Sequence, residues 1–136
     1  MRDLKEFRKA CYEAARRTRG QVTGFVSYEA GQNFDQGEIA YRHRTASVMW
    51  TQSWLEGDRR EILGIAESPV GWGSMTFVDE PGLLAVLGEL LPGFRRYTRS
   101  ELETPIDLSA PPWVDDYDAK YWRPEHLGDY LFNYWD

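Results

Sequence analysis

The chain has 136 residues, of which 28% are charged, 42% hydrophobic and 15% aromatic, and its net charge is −6. That length suits one domain, 1–136, able to bury a core without disulfide or metal, and the composition is too aromatic for a disordered chain. The single cysteine excludes an internal disulfide and agrees with a reducing cytoplasm, the acidic balance argues against nucleic acid as a partner, and no run or leader of membrane or secretory type is found.

Residues 3–18 are expected to form a helix, because Leu4, Phe7, Cys11, Ala14 and Thr18 recur at spacings of three and four. Gly20 stops it. Cys11 lies on the apolar stripe and reads as a small buried hydrophobe, not a reactive thiol. The basic residues fill the other faces without interleaved aromatics, which favours a solvated surface.

The period then changes to two. Residues 21–29, rich in β-branched and aromatic types, predict a strand, and residues 30–37 a loop. Residues 38–43 alternate, with Ile39, Tyr41 and His43 on one face. After Arg44-Thr45 comes a strand over 46–53 with Val48 and Trp50 on one face. A turn at Glu56-Gly57-Asp58 leads to strands at 60–66 and 70–78, separated at Ser68-Pro69. Such short connections predict antiparallel pairing in a sheet of about five strands. Gly71 and Gly73 form a G-x-G, but a third glycine and a Lys-Ser/Thr pair are missing, so a close-packed strand is favoured over a phosphate loop.

Asp79 is the expected N-cap of a second helix, followed by Glu80, Pro81 and a broad face of Leu83, Leu84, Val86, Leu87, Leu90 and Leu91, and ended by Pro92-Gly93. This helix should cover one face of the sheet, with the N-terminal helix or the C-terminal segment on the other. Arg95, Arg96 and Arg99 form a basic cluster, and 100–103 a short helical turn. From Thr104 to Trp122 the pattern dissolves into prolines, acids and aromatics. This predicts a long surface loop pinned by Leu108, Trp113, Tyr117 and Trp122, of a length that is uncommon and often functional. Pro124 then opens a closing helix whose stripe, Leu127, Tyr130, Leu131 and Tyr134, docks the C-terminal end into the core. The expected class is α+β: an antiparallel sheet packed by an N-terminal, a central leucine-rich and a C-terminal helix.

Charge is unevenly spread. Residues 1–19 hold seven basic against three acidic side chains, +4, whereas 101–136 hold two against nine, −7. Such a surface attracts a basic partner and speeds encounter, though charge also serves solubility alone. Catalytic signals are sparse. The two histidines, His43 and His126, stand at no metal-ligand spacing, and no G-x-S-x-G elbow is present. Asp115, Asp116 and Asp118 would suit Mg²⁺ but read better as a solvated loop. No catalytic, cofactor or metal residue is therefore assigned, and an enzyme is not expected.

The stretches GEIAYRHRTASVMWTQ, residues 37–52, and WRPEHLGDYLFNYWD, residues 122–136, resemble the small immunity proteins of bacterial polymorphic toxin systems. The likeness is strongest in Leu127 to Asp136, an "lGD-x-hFN-x-WD" type of ending. The resemblance implies a cytoplasmic protein without catalytic residues that binds a cognate toxin domain and blocks it. A toxin acting on nucleic acid or an anionic cofactor would present a basic cleft, which an acidic, aromatic segment fits. The residues expected at that contact are Trp113, Asp115, Asp116, Tyr117 and Asp118, with Glu101 and Glu103 nearby. A second reading is a small enzyme or ligand-binding domain with a pocket between sheet and helices, lined by Trp50, Trp54 and Trp72.

Overall fold

The computed structural model describes residues 4–26, 33–55, 58–68 and 75–133, with the backbone alone at 54, 55 and 58. The expected strand end at 27–29, the turn at 56–57, Gly71, Trp72, Gly73 and Tyr134 lie outside these residues. The class is α+β. Five strands, β1 (Gln21–Val26), β2 (Phe34–Ala40), β3 (Thr45–Leu55), β4 (Asp58–Glu67) and β5 (Arg95–Arg96), pair in chain order. The first four are antiparallel and β4–β5 is parallel.

Three parts of the sheet differ most from expectation. β2 begins at Phe34 inside the expected loop and ends at Ala40, because Tyr41 to Arg44 make the turn, closed by Tyr41 N–H donating to Arg44 O at 2.7 Å. The fifth strand is the pair Arg95–Arg96, which sequence reading took only as a basic cluster. The described part of the expected 70–78 strand makes a single bridge, Phe77 to Ala66, flanked by bonds from Glu67 N to Thr76 O and Val78 N to Ile65 O.

Both sides of the sheet are covered at β3 and β4, so their alternate side chains point to two separate cores. Ala46, Val48, Trp50, Leu63 and Ile65 face one side, and Met49, Ile62 and Ala66 the other. The first side is covered by α1 (Leu4–Arg17), which places Phe7, Ala10, Cys11 and Ala14 on the sheet, and by α2 (Pro81–Leu90), which adds Leu83 and Leu87. Trp50 is 1% exposed, with Phe7 and Phe94 rings 5.2 and 5.7 Å away. Cys11 lies wholly inside, and burial pushes its thiol up to about 12, as an inert hydrophobe requires. The N-cap position of α2 is Glu80 rather than Asp79, since Pro81 takes the first helical position. No side chain caps it, and Glu80 instead receives the Arg44 guanidinium at 2.5 and 2.6 Å.

The second side has no long helix among the described residues. α3 (Arg99–Leu102), four residues, and α5 (Leu127–Leu131), five residues, bring Leu102 and Leu131 onto Phe34, Met49, Ile62 and Phe77, and Phe132 follows directly. The N-terminal helix thus shares its side with α2, and the C-terminal segment lies on the other together with α3. Two glycines make the approach possible. A Cβ at Gly64 would sit 2.9 Å from the Phe132 ring, and one at Gly128 would enter the Phe77 ring and lie 3.1 Å from Leu102 O. Asn33 locks this segment to the start of β2. Its Nδ2 donates to Leu131 O at 2.9 Å, and its Oδ1 accepts from Asn133 N at 2.8 Å.

Candidate partner-binding site

The stretch from Thr104 to Trp122 is not a structureless loop. Leu127 N donates to Thr104 O and Ile106 N to Glu125 O, both at 2.9 Å, so its first residues pair with the approach to α5. Asp107 Oδ1 accepts from Ser109 Oγ at 2.6 Å and from Ser109 N at 2.9 Å, a local turn that holds its carboxyl below the usual carboxylate range. A 3-10 turn, Trp113–Asp115, leads into α4 (Tyr117–Trp122). Asp116 caps α4, accepting from Ala119 N at 2.9 Å through Oδ1. Its Oδ2 accepts the Tyr130 hydroxyl at 2.7 Å, and the Trp113 ring lies edge-on to Tyr130 with centroids 4.8 Å apart. Burial, and then the bond to Asp116, push the Tyr130 hydroxyl well above its ordinary pKa, so it stays a proton donor.

The seven expected contact residues therefore separate by role. Trp113 is half-buried against α5, and Asp116 spends both carboxylate oxygens inside the chain. Glu101 closes a capping box with Thr98, its carboxylate accepting from Thr98 N at 2.9 Å. Glu103 meets Arg99 at 3.2 Å in an exposed pair of small energetic weight. Asp115, Tyr117 and Asp118 remain at the surface, and among the described residues no hydrogen bond or ion pair engages either carboxylate. Tyr117 is 76% exposed and Trp122 42%, so neither pins the segment as expected. The buried member of the stretch is Ala119, and Pro124 just beyond it is buried as well.

Sequence reading missed Tyr121. It is 66% exposed and one helical turn beyond Tyr117, with the two rings nearly parallel at 13° and 6.2 Å apart. Trp122 packs edge-on to Tyr121 at 4.9 Å. The signal was available: an Asp followed by Tyr-Asp-Ala-Lys-Tyr is an N-cap with an acidic first turn, obscured by the prolines before it. The result is a ring ladder standing outward on a capped helix, with Asp115 and Asp118 beside it.

On α1 the Glu13 carboxylate bonds Arg16 at 2.6 Å and Arg17 at 2.7 Å, and Arg17 also reaches Glu89 at 3.3 Å. Trp50 belongs to a filled core, which removes one of the three tryptophans proposed to line a ligand pocket, and the Trp54 side chain and Trp72 lie outside the described residues. Among the described residues no group of three or more His, Cys, Asp or Glu is placed to hold a metal ion, and no helix is long and apolar enough to cross a membrane. No family model, curated protein or solved structure matches the chain.

Proposed function

We propose that this chain is an immunity protein that binds a toxin domain in the cytoplasm of the producing cell and blocks its activity. The observation that carries the reading is the outward ladder of Tyr117, Tyr121 and Trp122 flanked by Asp115 and Asp118. Large rings held in place on a short capped helix lose little entropy when they anchor in a partner's pocket, and unengaged carboxylates steer a basic partner toward them. The likeness of residues 37–52 and 122–136 to small immunity proteins supports the same reading. It needs no catalytic group on this chain.

Where a toxin-like C-terminal domain is encoded immediately upstream, co-expression with it tests the reading, and the lack of such a neighbour counts against it. Restored growth, together with a stable complex on gel filtration, is the expected result. Asp115→Lys with Asp118→Lys should weaken that complex at low salt more than at high salt, because exposed charges act within the Debye length. Toxicity that persists beside a folded, abundant protein would remove the reading.

A further inference from the structure

We infer that the α4 ladder is an arginine-reading surface: the partner reaches it with guanidinium groups, not with lysines or with apolar side chains alone. The inference deepens the proposed function, on which it rests for the partner being a toxin domain, by naming the chemistry that the partner must present.

The reasoning starts from what the chain does with its own rings. Arg8 lies 5.3 Å from the Phe25 centroid, Arg44 4.5 Å from Tyr41, and Arg95 4.8 Å from Tyr97. Three aromatic side chains around the domain are thus covered by arginine, whose weakly hydrated planar cation stacks on ring faces. Among the described residues no cation lies over Tyr117 or Tyr121, although these are the most exposed aromatics of the described surface. The two rings stack on each other, yet both stay well over half exposed, which leaves ring surface for a further planar cation. Asp115 and Asp118, two residues before and one after Tyr117 in the chain, are exposed, and among the described residues no hydrogen bond or ion pair engages their carboxylates. A ring face next to a carboxylate satisfies both halves of a guanidinium, the plane by stacking and the N–H fork by bidentate hydrogen bonds. An ammonium is a compact, strongly hydrated charge and gains only the second half. Charge complementarity therefore sets the sign of the partner, and the rings set which cation it uses.

The experiment uses the intact chain and two glycine-spaced peptides of equal charge and length, one of arginine and one of lysine, with tyrosine and tryptophan fluorescence as the readout. The arginine peptide should bind about fivefold more tightly, the scale of an exposed cation–π contact. Tyr117→Ala with Tyr121→Ala, both on an exposed helix face that tolerates alanine, should abolish the preference while leaving the charge-driven part. Asp115→Asn with Asp118→Asn should weaken both peptides. Equal affinity for the two peptides, no binding of either, or a preference that survives loss of both tyrosines would overturn the inference. None of these outcomes depends on toxin protection. Failure of the co-expression assay with the arginine preference intact removes the function and leaves the surface, and the reverse pattern does the opposite.

Discussion

On one side of the sheet, α1 and α2 lay regular apolar stripes over Ile39, Val48, Trp50, Leu63 and Ile65; on the other, helices of four and five residues bring Leu102, Leu131 and Phe132 onto Phe34, Met49 and Ile62. The first side is laid down by two regular helices and is partly aromatic, with Trp50 against Phe7 and Phe94. The second depends on fit: glycines at 64 and 128 admit a ring and a backbone, and Asn33 holds the closing segment by two side-chain bonds and one backbone bond to its main chain. Short helices are marginal by themselves, so this side is ordered by tertiary contacts rather than by propensity. Charge follows the same division. α1 carries five basic residues against two acidic ones, while 99–133 carry three against eight. The side that is harder to build is also the one that presents the candidate contact, since α4 is tied to α5 through Asp116, Tyr130 and Trp113.

The comparison is broken most forcibly by deleting Gly128 to Asp136. If the closing segment completes a core, loss of Leu131 and Phe132 exposes Phe34, Met49 and Ile62, and the chain should lose cooperative unfolding by circular dichroism. A truncated chain that stays folded and loses only partner binding would mean that this segment is contact surface and not core.

A finer comparison sets one buried residue from each side against the other. Phe132→Ala should cost about 3–5 kcal/mol and Leu87→Ala about 2–5 kcal/mol in urea unfolding, because each leaves a cavity in a packed layer. A Phe132→Ala cost below about 1 kcal/mol would show the second side to be loosely packed, contrary to its burial.

The smallest effect concerns the basic helix. Hydrogen bonds first from Arg16 and then from Arg17 hold the Glu13 carboxyl down at about 2. A lowered folded pKa stabilises above the ordinary carboxylate range, and that contribution is lost as pH falls toward about 2. Glu13→Gln should therefore be slightly less stable at neutral pH and lose less stability on acidification through that window, with both differences shrinking in salt. An unchanged acid slope in thermal melts would show that the pair contributes nothing.

The periodic elements were legible before any coordinates. Leu4 to Thr18 and Leu83 to Leu91 have enough helical turns for their stripes to be unambiguous, and the alternation in β3 and β4 gave both strands within a few residues. The candidate site was legible as a segment but not as a set of side chains. Asp115, Asp116 and Asp118 look equivalent in sequence, yet Asp116 is spent on a helix cap and a tyrosine hydroxyl fourteen residues away. Glu101 is likewise committed to Thr98, and Tyr121 went unnoticed because the prolines before it suggested no helix.

Local pattern by itself therefore determined the α+β class, the order of the longer elements, the buried state of Cys11 and the separation of basic and acidic ends. Those properties depend on periods of two and 3.6 and on composition, which neighbours in sequence express. Tertiary structure alone decided the parallel pairing of Arg95–Arg96, which side of the sheet each helix covers, and which acidic residues remain free. Each of these depends on partners far apart in the chain, and a bond such as Tyr130 to Asp116 leaves no trace in the spacing of either residue.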